Sequence, residues 1–177
     1  MHVGFAGLGK IGAVMTPRIL DAGHELTVWN RTASKADALR SRGAKVAATP
    51  GDLARTEIVI SVLSDDAAVS GFYRQLLAND VAGKLFIDMS TIRPATTKQI
   101  AADAAAKGAA FIDAPFSGTV GPAKDGKLLI LAGGAPADLV RAKPVFDILS
   151  RRVIHTGPVG TGALMKLDRK STRLNSS

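Results

Sequence analysis

A short apolar run, His2 to Ala6, passes directly into Gly7-Leu8-Gly9-Lys10-Ile11-Gly12 and then into residues with helical patterning. Three glycines at this spacing, between a strand and a helix, restrict sharply what the chain can form. The first permits a turn too tight for a side chain, the second leaves the backbone bare so that a bulky group can approach, and the third lets helix and strand pack closely. The start of the helix offers unpaired N–H groups and the positive end of its dipole, which suits a pyrophosphate. The hexad alone is a weak signal, and a glycine-rich structural turn is its bland alternative. It gains weight because a second strand ends about twenty residues further on, at Trp29.

The rest of the chain repeats that alternation. Strands are expected at His2 to Ala6, Glu25 to Trp29, Ile58 to Leu63, Lys84 to Met89 and Ala109 to Asp113, with a weaker one at Lys45 to Ala47. Helices are expected at Ile11 to Ala22, Ser34 to Ser41, Ala67 to Asn79 and Ala95 to Lys107, with Gly23, Gly43 and Gly108 where helices stop. A strand at Leu128 to Ala132, a helix at Ala137 to Leu149 and a strand at Arg152 to His155 follow. Apolar, β-branched strands alternating with helices predict an α/β fold, a Rossmann-type doubly wound and mostly parallel sheet covered on both faces. With 177 residues and 46% hydrophobic content the chain can bury a real core. We find no internal repeat and no low-complexity linker.

Composition excludes several classes of function. The chain has no cysteine, so disulfides, thiolate metal sites and a cysteine nucleophile are ruled out, and a reducing, cytoplasmic setting is the expectation. The formal charge is +8, but the lysines and arginines are scattered and only one Trp and one Tyr could stack on bases, so a nucleic-acid partner is not expected. No window approaches the roughly 20 apolar residues of a membrane span. The N-terminal apolar run is broken by glycines at once and does not read as a signal peptide. His24 and His155 stand outside any metal-like cluster and are read as structural.

The end of the second strand bears on which dinucleotide would fit. A site for NAD commonly carries Asp or Glu there for the ribose 2′-hydroxyl, whereas this chain has Asn30-Arg31-Thr32. Nothing repels a 2′-phosphate, and Arg31 can bond to it, with Asn30 and Thr32 as neutral partners. NADP is therefore the expected cofactor, with NAD possible. The alternative for Arg31 is an ordinary solvated arginine at a helix start. Other polar positions also follow strands: Leu63-Ser64, Ser90-Thr91 and Ser117-Gly118-Thr119. Each alone could be helix capping, with Ser64, Asp65 and Asp66 as candidate caps. Together they converge on the carboxyl edge of the sheet, where open α/β folds bind ligands. The candidate cofactor residues are Gly7, Leu8, Gly9, Lys10, Ile11, Gly12, Asn30, Arg31, Thr32, Leu63, Ser64, Thr91 and Thr96.

From Val3 to Leu167 the chain resembles the β-hydroxyacid dehydrogenases, which include 3-hydroxyisobutyrate dehydrogenase and tartronate semialdehyde reductase, with 6-phosphogluconate dehydrogenase more distant. The resemblance rests on Gly4-Phe5-Ala6-Gly7-Leu8-Gly9 with Met15, Ala22-Gly23-His24, Trp29-Asn30-Arg31-Thr32, Asp88-Met89-Ser90-Thr91 and Asp113-Ala114-Pro115-Phe116-Ser117-Gly118. Gly133-Gly134 and Gly160-Thr161-Gly162-Ala163-Leu164-Met165-Lys166 complete it. It implies hydride exchange between a small β-hydroxy acid and its semialdehyde or keto partner. It implies also that Lys166 is catalytic, that Ser117, Gly118 and Thr119 form a substrate-carboxylate loop, and that full-length members are homo-oligomeric. Without that motif, a lysine near a chain end would be read as solvated surface. A lysine in a cleft beside a cationic nicotinamide has its pKa lowered and can exchange a proton with the reacting oxygen. A cofactor-binding module without catalysis and an imine-reductase-like enzyme are the alternatives; imine reductases generally lack this lysine.

The chain departs from the family at Ile11, usually methionine, at Arg18, usually asparagine, and at Thr119, usually a second glycine. The family follows its lysine with an asparagine pair and a long helical domain, but here Arg169 and Lys170 occupy those positions. Asp168 to Ser177 matches, codon for codon, what translating GATCGGAAGAGCACACGTCTGAACTCCAGT would give, a stretch of a common DNA-sequencing adapter. The expected organisation is a dinucleotide-binding domain over 1–159, the start of an interdomain helix over 160–167 and an artefactual tail over 168–177. Such a chain is expected to fold and hold cofactor but not to turn over substrate.

Overall fold

The computed structural model describes residues 1–175. Its sheet is built from β1 (His2–Ala6), β2 (Glu25–Trp29), β3 (Lys45–Val46), β4 (Ile58–Ser61), β5 (Leu85–Asp88) and β6 (Ala110–Asp113), followed by β7 (Phe116–Ser117), β8 (Leu128–Gly133) and β9 (Ser150–Gly157). The helices are α1 (Gly12–Asp21), α2 (Asp37–Arg40), α3 (Asp66–Leu76), α4 (Pro94–Ala106), α5 (Val120–Lys124), α6 (Pro136–Leu149) and α7 (Thr161–Asn175). The strand order is β3-β2-β1-β4-β5-β6-β8-β7, with β9 on β8. From β1 the chain winds outward through β2 and β3, then returns to lay β4, β5 and β6 on the other side. All these pairs are parallel. The order reverses between β1 and β4, which opens a crevice at their carboxyl ends. β8 breaks the direction, running antiparallel to β6 and β7, and β9 follows it, parallel to β8.

Alternation along the strands sends side chains to two cores. Val3, Phe5, Ile58, Ile60, Leu85 and Ile87 meet Met15 and Ile19 of α1 and Val145 and Phe146 of α6 on one face. Val59, Phe86 and Phe111 meet Val69, Phe72, Tyr73, Leu76 and Ile100, from α3 and α4, on the other. The central strands β1, β4, β5 and β6 are covered on both faces, which is why they read in the sequence as continuous apolar runs. The aromatic members Phe72, Tyr73, Phe86 and Phe111 pack edge to face or tilted at centroid distances of 5.0 to 5.7 Å, within the favourable range for such pairs.

Several expectations need correction. The stretch Ser34 to Ser41 is a 3-10 turn (Ala33–Ala36) followed by the single-turn α2. Only Ala36 and Leu39 are buried there, too little apolar surface to hold a longer helix against the core. A second 3-10 segment, Pro50–Arg55, went unread, although Thr49 and Asp52 mark its start: Asp52 Oδ2 accepts the Thr49 N–H at 2.9 Å. Ser117 lies in β7 rather than in a loop, and α5 follows it. The helix expected to begin near 160 runs unbroken across Leu167 and Asp168 to Asn175. Ser176 and Ser177 of the tail lie outside the described residues.

Candidate functional site

The glycine hexad forms the turn from β1 into α1. Gly7 has φ +100°, and a Cβ there would collide with the Val62 carbonyl oxygen; at Gly12 it would collide with the Gly7 oxygen. At Gly9 a Cβ would meet no atom within 4 Å. The first and third glycines are thus demanded by the protein itself, whereas the second faces open space. The backbone N–H groups of Gly9, Lys10 and Ile11 make no hydrogen bond among the described residues. Bare backbone, free donors and a helix N-terminus at one point fit a pyrophosphate.

Asn30 lines the groove beside the hexad and also has a structural role. Its Oδ1 accepts the Leu8 N–H at 2.8 Å and its Nδ2 donates to the Thr32 carbonyl at 3.0 Å, so its amide braces the glycine turn against the end of β2. Arg31 and Thr32 beside it are both exposed and line the same groove. The groove, of about 590 Å³, runs from this turn past the hexad to Leu63, Ser64 and α3. Lys35 lines it together with Arg31 and Thr32. Sequence reasoning missed Lys35; its signal was a second cation four positions after Arg31. It missed also the floor of the groove, where Trp29 and Phe72 lie 5.6 Å apart. Asp65, not Ser64, caps α3, its Oδ1 accepting the Ala68 N–H at 2.8 Å.

A second cavity, about 430 Å³, is lined by Thr91, Ser117, Leu131 and Lys166 together with Arg169, Lys170 and Arg173. Thr91 therefore sits with the lysine rather than in the glycine groove. Lys166 is half-buried on α7 and donates from Nζ to the Phe116 carbonyl at 2.7 Å. Burial, followed by the positive charges of Arg169, Arg173 and Lys170, holds its ammonium below the usual lysine range. Gly118 and Thr119 are exposed beyond β7 and do not line this cavity. Thr96 lies in neither: its hydroxyl donates to Asp66 Oδ2, which ties α4 to α3.

The lysine is placed by Asp113. Its buried carboxylate at the end of β6 accepts the N–H of Gly160 on Oδ1 and of Ala163 on Oδ2, both at 2.8 Å, and so clamps the first turn of α7. Gly162 is required at that contact, since a Cβ would sit 2.5 Å from the Leu131 oxygen and 2.9 Å from Asp113 Oδ2. Arg18, where the family usually has asparagine, donates from Nε to the Ile148 carbonyl at 2.9 Å and from Nη1 to the Lys124 carbonyl at 3.1 Å. It fastens α1 to the ends of α5 and α6, away from both cavities.

Residues 2–157 match the family described as the NAD binding domain of 6-phosphogluconate dehydrogenase. The chain belongs to that family. It is 42% identical over 171 residues to glyoxylate/succinic semialdehyde reductase 1 of Arabidopsis thaliana, covering 94% of this chain and 59% of that protein. Its fold superposes on the 3-hydroxyisobutyrate dehydrogenase of Mycobacterium tuberculosis with L-serine at TM-score 0.91 and 31% identity, over 95% of this chain and 58% of that one. The reductive aminase of Aspergillus terreus in complex with NADPH and ethyl levulinate follows at TM-score 0.87 and 28% identity, over 98% and 61%. The chain thus spans somewhat more than half the length of these proteins, and matches the dinucleotide-binding part of their fold. Among the described residues no helix is long and apolar enough to cross a membrane.

Proposed function

We propose that this chain is the NADP(H)-holding part of an oxidoreductase that interconverts a small β-hydroxy acid and its semialdehyde or keto partner. The observation that carries the proposal is the pairing of an open glycine groove flanked by Arg31 and Lys35 with a separate cavity holding Lys166. The cofactor supplies the hydride. The Gly9, Lys10 and Ile11 amides hold its pyrophosphate, and Arg31, Lys35 and Thr32 hold the 2′-phosphate through charge-assisted bonds. Lys166 gives a proton to the carbonyl oxygen in reduction and takes it back in oxidation. Burial, the largest cause of its lowered pKa and one that needs no charge from the residues after 167, brings that exchange nearer to neutral pH. The Ser117 hydroxyl, on the same cavity, suits a substrate carboxylate.

The Arabidopsis relative is named for semialdehyde and glyoxylate reduction, and the retained lysine favours that class over a reductive aminase. The test is reduction of short semialdehydes with NADPH by the 177 residues and by a version extended with the C-terminal part of the Arabidopsis relative. Turnover is expected only with the extension, which closes the open lysine cavity and excludes water. Imine reduction without semialdehyde reduction by the extended protein would overturn the assignment.

A further inference from the structure

Beneath the cofactor groove lies a buried chain of hydroxyls ending on one carboxylate. Tyr73, Ser61, Asp88 and Ser90 are each no more than 4% exposed. Ser61 Oγ donates to Asp88 Oδ1 at 2.8 Å and Ser90 Oγ donates to the same oxygen at 2.7 Å, with the Ser90 N–H at 3.3 Å. Because the Ser61 proton is committed to Asp88, Tyr73 must donate to Ser61 across their 2.8 Å contact. Because the Ser90 proton is likewise committed, the Ser90 oxygen is left to accept, and it takes the N–H of Leu63 at 2.9 Å. Every donor in the network points in one direction, toward Asp88. Leu63 is the turn after β4, and it lines the glycine groove together with Val62 and Ser64.

We propose that Ser90, oriented by Asp88, is a positioning residue for the dinucleotide, holding the turn at Leu63 so that the groove keeps its shape before the cofactor arrives. The inference rests on the proposed cofactor site but adds to it residues that touch no ligand. Its logic is geometric. A serine with its proton free could turn either its donor or its acceptor side to Leu63, whereas a serine pinned by a carboxylate offers only the acceptor. A turn fixed in advance loses less conformational freedom on binding.

The network contains its own control. Ser61 and Ser90 each give one hydrogen bond to the same oxygen, so Ser61→Ala and Ser90→Ala remove the same kind of bond from Asp88. Only Ser90→Ala also releases Leu63. NADPH affinity measured by fluorescence titration, beside the melting temperature of each variant, separates the two roles. The expected result is a similar fall in melting temperature for both variants, with NADPH Kd raised at least 5-fold for Ser90→Ala and less than 2-fold for Ser61→Ala. Ser90→Thr, which retains the Oγ, should restore most of the affinity. Equal Kd changes in the two alanine variants, or an unchanged Kd in Ser90→Ala, would overturn the proposal. Failure of the unaltered protein to bind NADPH at all would instead strike at the cofactor reading itself.

Discussion

Arg31 stands exposed at the lip of the glycine groove, with Lys35 beside it and Asn30 committed to the backbone. Arg31→Ala should weaken NADPH binding by about 1 to 3 kcal/mol, the range for hydrogen bonds to a charged group, and leave NADH nearly unchanged; equilibrium titration with both nucleotides checks this. Lys166→Ala, in the extended protein, should lower turnover about 100-fold or more with little change in cofactor affinity, and Lys166→Arg should fail too because arginine does not give up its proton. Asp88 provides a residue-scale test by pH. Burial raises its carboxyl to about 6, against the hydrogen bonds from Ser90 and Ser61, while the Asp113 charge raises it further; burial, and then the Asp88 charge, pushes up Tyr73. A carboxyl raised above its unfolded value penalises the fold when ionised. Stability is therefore lowest above pH 6 and is regained as the pH falls toward 4, by about 3 kcal/mol for this group. Urea unfolding across pH 4.5 to 7.5 should show about two-thirds of that gain in the native protein and much less of it in Asp88→Asn; parallel curves would contradict the account. The need for glycine at Gly7 and Gly12 was legible because it is local to one turn. The roles of Asn30, Asp88 and Asp113 were not, because each is set by a partner 22 to 50 positions away.

At the scale of elements, the apolar runs that became β1, β2, β4, β5 and β6 could be read from the sequence because strands buried on both faces leave an unmistakable pattern. The two-residue β7 and the one-turn α2 could not, since neither is long enough to carry a period. Their conformations come from neighbours: β7 from pairing with β8 at Phe116 and Ser117, and α2 from packing Leu39 into the core. α7 depends on its first turn. Asp113→Ala removes two buried acceptors and leaves the N–H groups of Gly160 and Ala163 without partners, which should destabilise the protein by roughly 2 to 4 kcal/mol. The loss should be accompanied by faster amide exchange along α7 than along β1 or β4, measurable by mass spectrometry. Uniform exchange in all three elements would show that the clamp is not local.

For the whole molecule, topology places the site. The reversal of strand order between β1 and β4 puts the Gly7 turn and the Leu63 turn on either side of one crevice, and the antiparallel β8 brings β7 and α7, with Ser117 and Lys166, to the far end of the same sheet. The loops following strands were expected to converge on one edge, and the structure divides that edge into a glycine groove and a lysine cavity. The division was illegible in sequence because it depends on where α7 crosses the sheet, and no periodicity encodes that. The central claim is that the groove holds NADP(H), and calorimetric titration of the 177-residue protein with NADPH and with NADH at one ionic strength tests it most directly. The account predicts NADPH binding at least tenfold tighter, with the difference shrinking as salt screens Arg31 and Lys35. Equal affinity for the two nucleotides, at low and at high salt alike, would contradict it.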